Sequence, residues 1–276
     1  MNKYNTNNKR ISIEDFQHPA DKMAVDAVLK VPGVDKVLEF ISENSVEKLF
    51  AIINDASNLK ITEEINPKIH SMIKEATEMF NSDVAPSVYL SRDYSIQLTT
   101  DGMVKPYMLF TTSLLENVDN ETLWGVISSG IASFEAKHAT IKLIDKIITY
   151  ARDVLPFGVS EALQLAINGW KRNREYTCDR AFLLAIGDFE KAAKYMLLGE
   201  APTDTLDKIK LADPENCYYG QAKEFLERKD KSAIIQKANI LISTNHPYAS
   251  RYTELYNWYV SGEYDEVLER SLSNEL

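Results

Sequence analysis

The sequence predicts an α+β fold, mostly helical, with one small sheet set between helical layers. Three observations carry this. Apolar residues recur at three- and four-residue spacing through most of the chain. Only the stretch from Ser87 to Thr111 breaks into short runs rich in β-branched and aromatic residues. Hydrophobic residues make up 45% and charged residues 26% of the 276 positions, the balance of a folded chain rather than a disordered or fibrous one.

The elements follow in order. Residues 1–15 are polar and Asn-rich and are read as a flexible N-terminal segment, with one domain over 16–276. Its N-terminal helices fall within 16–80: one over Pro19–Lys30, one over Val34–Asn54 and one over Pro67–Phe80. Pro32-Gly33 divides the first two, and Asn66-Pro67 starts the third as a cap followed by proline. A three-stranded sheet is expected within 86–111, with strands at Ser87–Ser91, Ser95–Thr99 and Tyr107–Thr111. Asp101-Gly102 and Pro106 punctuate it. Helices return over 120–198, beginning with a long one from Asn120 towards Tyr150. Shorter ones follow over Ser160–Arg174, Glu175–Ile186 and Phe189–Leu198. The C-terminal region, 204–272, reads as helices over Asp204–Lys229, Lys231–Ser243 and Tyr248–Ser261. The stripe Tyr248, Tyr252, Tyr256, Trp258 and Tyr259 has helical spacing and reads as packing with phenolic tips at the rim.

Charge and cysteine usage narrow the function classes. Thirty-one Lys and Arg against 41 Asp and Glu leave a formal net charge of −10, which excludes a phosphate-tracking nucleic-acid binder. Cys178 and Cys217 are the only cysteines and form no C-x-x-C, so neither a disulfide scaffold nor a cysteine zinc site is indicated. A cytoplasmic protein is expected. The apolar stretch Val154–Ile167, interrupted by Pro156, Gly158 and Glu161, is too short for a membrane span. It reads as a buried helix, with peripheral membrane contact as the alternative.

Two blocks carry the chemistry. LWGVISSGIASFEAKH, over Leu123–His138, resembles the active-site helix of the zinc metallopeptidase family that includes HtpX and the CAAX prenyl proteases. That helix reads approximately L-x-x-V-I/L-x-H-E-L-G-H-I-x-x-G-H. WKRNREYTCDRAFLLA, over Trp170–Ala185, resembles the same family's W-x-R-x-x-E-x-x-A-D-R-A-G-L-L-A block. The outer segments Phe16–Ala24 with Val31-Pro-Gly33, and His246-Pro247 with Arg251, Leu255, Trp258 and Ser261–Tyr264, are similar to the opening and closing segments of the family's soluble subgroup. Four matches in the right order span nearly the whole chain.

The resemblance implies a metallopeptidase-like fold with its zinc chemistry removed. The family's two zinc-binding histidines fall on Ser129 and Ser133, its catalytic glutamate on Gly130, and its third ligand on Glu175. Ser129 and Ser133 lie four apart on one helix face, the spacing that lets two imidazoles share a metal. Hydroxyls are poor zinc donors and glycine cannot act as a base. No zinc and no catalytic residue are therefore expected, and Glu175 should find Ser129, Ser133, a water or a nearby Arg or Lys in place of the ion. His138, Asp179, Arg180 and His246 are implied around this vestigial site. Glu135 and His138 read as an exposed pair rather than a metal site, and Cys178 as a small buried residue. In the family, substrate adds as a strand beside the active-site helix. Ser95, Ile96, Gln97, Leu98, Thr99 and Thr100 are the corresponding strand here, although only Gly102 of the family's N-A-F/Y-x-x-G is kept. The expected function is non-catalytic binding of a peptide or protein partner, as an accessory or regulator of peptide processing. The rival expectation is an active hydrolase with relocated metal ligands or new chemistry in the old pocket.

Overall fold

A computed structural model describes residues 10–150, 161–198, 201, 203–231 and 247–273. The elements run α1 (Ile13–Phe16), α2 (Pro19–Leu29), α3 (Val34–Glu43), α4 (Val46–Ser57), β1 (Leu59–Lys60), α5 (Pro67–Met79), β2 (Ser87–Ser91), β3 (Leu98–Asp101) and β4 (Tyr107–Thr111). Then come α6 (Thr112–Asn117), α7 (Asn120–Glu135), α8 (His138–Tyr150), α9 (Glu161–Lys171), α10 (Arg174–Ile186) and α11 (Phe189–Leu197). After these lie α12 (Thr203–Leu206), α13 (Cys217–Lys231), α14 (Tyr248–Val260) and α15 (Glu263–Ser273). The fold is α+β and mostly helical, as the residue pattern predicts.

Several boundaries differ from the sequence reading, each for a local reason. The helix expected from Val34 to Asn54 breaks at Ser45, which takes a left-handed φ of 52°. The helix expected from Asn120 to Tyr150 breaks at Lys137, with φ 61°, and this turn directs His138 inward at the start of α8. The helix expected over Asp204–Lys229 is two, separated by a loop containing Pro214. Asn216 then starts α13 by accepting the Tyr219 N–H at 2.8 Å. The strand expected at Ser95–Thr99 lies instead at Leu98–Asp101. Asp93 accepts from both the N–H and the hydroxyl of Ser95, at 2.8 Å each, and holds that stretch in a turn. Residues 1–9 and the helix expected over Lys231–Ser243 (beyond Lys231) lie outside the described residues. Ile11 is buried and bonds through its N–H to Met79 O at 2.8 Å, so packed chain begins inside the segment read as flexible.

The sheet has four strands in the order β1-β2-β4-β3, with β1 too short to have been read from pattern. β2 and β4 pair parallel, and the other two pairings are antiparallel. β3 is therefore an edge, lying against α7 and α8. One apolar cluster joins the sheet to α5, α7, α10, α11, α14 and α15. A second joins α2, α3 and α4 to α8 and α9. α7 and α10 pack most extensively, and Gly125 is what lets them close. A Cβ there would stand 2.7–2.9 Å from the Phe182 ring, which is itself stacked on Tyr195. Within the tyrosine stripe Tyr252, Tyr256 and Trp258 are buried as packing residues and Tyr259 is exposed; the Tyr252 hydroxyl donates to Leu211 O at 2.6 Å in the interior rather than at the rim. No helix among the described residues is long and apolar enough to cross a membrane.

Candidate functional site

Asp119 caps α7 by accepting the Thr122 N–H at 2.7 Å, and the helix then runs with its middle turns under β3 on one side and α10 on another. Ser129 faces α10. Its hydroxyl lies 2.8 Å from Cys178 O and 3.1 Å from Gly125 O, both acceptors. Ser133 faces β3, with its hydroxyl 2.6 Å from that of Thr100. Gly130 is packed under the strand. A Cβ on it would lie 2.9 Å from Leu98 Cδ2, 2.9 Å from Met108 Cε and 3.3 Å from Thr100 Cγ2. The face that would carry a metal site is thus closed by side chains and satisfied locally.

Glu175, in the first turn of α10, is surrounded by cations. Arg174 Nε lies 2.9 Å from its carboxylate and Arg251 Nη2 lies 3.9 Å away. Burial by itself would raise the carboxyl, but Arg174, then Arg251 and Lys142, outweigh it and hold it down at about 2. Of the replacements expected for a metal ion, the structure supplies arginine and lysine, while Ser129 and Ser133 bond elsewhere. Because the folded-state carboxyl is depressed, its stabilising contribution is complete above about 4.5 and is lost as pH falls towards about 2. In Glu175→Gln that contribution is missing. The stability gap between wild type and variant should therefore shrink across the same window in urea unfolding at stepped pH.

Lys142 reaches across from α8 to the strand edge, donating to Thr100 O at 3.0 Å and Thr100 Oγ1 at 3.1 Å. Burial and the repulsion of Arg174 bring its ammonium down to about 8. Gln97 O accepts from Thr111 N at 3.3 Å, so Thr99 and Asp101 continue the bonding alternation towards β4. Leu98 and Thr100 then direct their N–H and C=O away from it. Lys142 takes one of these outward carbonyls. Ser95, Ile96 and Gln97 precede the strand, whereas Leu98, Thr99 and Thr100 belong to it.

The residues implied around the site fall into three contacts. Asp179 receives Arg251 through Nε at 2.9 Å and Nη2 at 2.5 Å, tying α10 to α14. Burial raises Asp179 against the pull of that arginine. Arg180 donates to Phe16 O at 3.2 Å and lies over Trp258, 4.7 Å from the ring centre. His138 is a correction to the sequence reading: it is not an exposed partner of Glu135 but is 1% exposed, while Glu135 accepts from Ser82. The His138 Nε2 lies 2.9 Å from both oxygens of Asp21, itself 0% exposed, and Thr177 donates to the same carboxylate at 2.6 Å. The left-handed Lys137 between Glu135 and His138 turns the two apart. His246 lies outside the described residues. The four segments behind the resemblance thus meet in space: Phe16 and Asp21, α7, α10, and Arg251.

Pattern reading passed over Asp21, Lys142 and the neighbourhood of Cys178. Asp21 lies in the matched opening segment, which marked the segment but not the residue. Cys178 likewise lies in a matched block that did not single it out, Lys142 lies in none, and only the fold brings them to His138 and Thr100.

Over 275 residues the chain is 24% identical to the plastoglobule-localised metallopeptidase 48 of Arabidopsis thaliana chloroplasts, covering 95% of this chain and 77% of that one. The likeness is to a metallopeptidase. No protein-family model matches the chain, and no solved structure does. The resemblance of Leu123–His138 to a zinc-binding helix makes zinc the metal to test against the residues present, and they do not fit it. Two hydroxyls already bonded to backbone or to Thr100, a glycine, and a carboxylate held by arginine make no zinc donor set. Among the described residues, no group of three His, Cys, Asp or Glu is placed to hold a metal ion.

Proposed function

We propose that the protein is a metallopeptidase-like binding protein, a degenerate relative of the HtpX and CAAX prenyl protease family. In this reading it holds a peptide or protein partner in extended form along β3 without zinc-dependent hydrolysis. It works in a reducing, cytoplasmic setting as an accessory to peptide processing. The observation that carries the reading is the contrast between two surfaces of one site. The helix face at Ser129, Gly130 and Ser133 is closed and self-satisfied, whereas β3 is an edge strand whose Leu98 and Thr100 backbone groups point away from β4, with Thr100 O held by the Lys142 side chain alone. Strand addition needs those groups and no metal. Lys142 biases the register, because an incoming N–H at Thr100 O must share that carbonyl with its ammonium or displace it.

The test is titration with β-casein, an unstructured polypeptide, followed through backbone amide shifts. The amides of Leu98 and Thr100 should move while those of Leu59 and Lys60, on the opposite edge, stay in place. The casein should remain intact after incubation with added zinc. Unmoved β3 amides at saturating casein, or cleavage that a chelator stops, would overturn the reading.

A further inference from the structure

Cys178 is not the isolated thiol that its sequence context implies. Its Sγ lies 4.0 Å from Nδ1 of His138, and the opposite nitrogen of that ring, Nε2, lies 2.9 Å from both oxygens of Asp21. A carboxylate facing Nε2 leaves that nitrogen as the ring's donor, so Nδ1 is the acceptor turned towards the thiol. Thr177 donates to Asp21 at 2.6 Å and Gln17 donates to it at 3.3 Å, which fixes the carboxylate. Trp170 meets the imidazole edge-on at 5.7 Å and fixes the ring plane. Nucleophile, base and orienting carboxylate therefore come from three helices, α10, α8 and α2, in the arrangement that activates a thiol.

We propose that Cys178 is a nucleophile that accepts an acyl group from a carboxylic ester, with His138 as its general base and Asp21 as the positioning residue. The thiol is protonated at rest. Burial pushes it up, with Glu175, Asp179 and Asp21 acting in the same direction, and Lys142 pulling against them. The base is therefore needed at the moment of attack. The Cys178 sulfur attacks the ester carbonyl and an S–C bond forms. The S–H proton passes to His138 Nδ1, the C–O bond to the alkoxy group breaks, and the imidazolium returns its proton to the departing oxygen. The products are a Cys178 thioester and an alcohol. Lys142, four residues along α8 from His138, bonds only to Thr100 among the hydrogen bonds described, and its positive charge acts on the thiol in the direction that favours negative charge there. Cys178 keeps partial access to solvent.

The two readings share Lys142, but acylation of Cys178 is followed with no polypeptide at β3, so either can fail without the other. The test uses p-nitrophenyl acetate on the full chain, reading nitrophenolate release and locating the acetyl group by peptide mass spectrometry. Cys217, the exposed thiol, is the internal standard. Cys178 should acylate faster than Cys217 although it is the less accessible. His138→Gln should slow acylation at Cys178 by about 100-fold or more while Cys217 is unchanged. Asp21→Asn should shift the pH profile of Cys178 alone, and Asp21→Glu should partly restore it. Acylation of Cys178 slower than Cys217 in the unmodified protein overturns the proposal whatever the variants do. Equal rates at Cys178 and Cys217 in His138→Gln together with loss of the folded far-UV spectrum, which mark unfolding, pass the decision to Asp21→Asn. An unchanged Cys178 profile in that variant also overturns it.

Discussion

Arg251→Met is expected to destabilise the protein by about 3–5 kcal/mol, lowering the melting temperature by roughly 6–20 °C for a chain of this size. The size follows from what is left behind. Arg251 meets Asp179 through two nitrogens, at 2.9 and 2.5 Å, and stands 3.9 Å from Glu175. Removing it leaves Asp179 as a buried carboxylate without a cation. Its carboxyl, raised by burial even now, must take up a proton or drag water inward. The deficit should therefore narrow as pH falls, because a protonated Asp179 no longer needs the arginine. A paired change, Arg251→Met with Asp179→Leu, should recover most of the loss, since a well-packed apolar pair replaces a buried ion pair at little cost. Thermal unfolding of the two single variants and the double variant checks this. A loss below about 1 kcal/mol in Arg251→Met would mean that the pair behaves as a surface ion pair.

That ion pair also marks the limit of what the sequence conveys. Arg251 and Asp179 each sit in a segment whose resemblance is local, and so is their legibility. They stand 72 positions apart in the chain, and nothing between them signals that they touch. Helical periodicity revealed α2 and α5 because each buries one face, whereas α7 and α10, buried on more than one side, stood out through their motif blocks. It ran straight through Ser45 and Lys137, since neither is glycine and nothing local announces a left-handed residue there. The second break mattered most. With α7 and α8 read as one helix, Glu135 and His138 fall on one face three residues apart. The turn at Lys137 instead sends His138 towards Asp21 and Cys178. The strand at Ser95 failed for a comparable reason: Asp93 bonds to its own near neighbour and competes with the ladder. The small residues of α7 were legible as a set, Ser129, Gly130 and Ser133, but not what each one touches.

Gly130 is where that distinction can be measured. Gly130→Glu restores the residue type that the resemblance places at this position, yet it is expected to destabilise the fold by about 3 kcal/mol or more. A Cβ alone would come within 2.9 Å of Leu98 Cδ2 and Met108 Cε, and Met108 is fully buried. A carboxylate beyond it would have to push β3 off α7 or sit unpaired against apolar groups. Gly130→Ala separates the two causes. Alanine gains about 1 kcal/mol of helix propensity over glycine, its two closest contacts are the ends of the flexible Leu98 and Met108 side chains, and the stiffer Thr100 Cγ2 stands at 3.3 Å, so its stability should stay within about 1 kcal/mol of wild type. Urea unfolding of both variants, with methyl spectra of Leu98 and Met108, reads the result. A stable Gly130→Glu with shifted Leu98 and Met108 methyls would show that β3 lifts readily from the helix. The whole helix face would then be open to a ligand. A destabilised Gly130→Glu beside a tolerated Gly130→Ala would show that β3 is seated on α7 through the missing side chain. Contact with a polypeptide would then be confined to the strand's outer edge, where Leu98 and Thr100 already face away from β4.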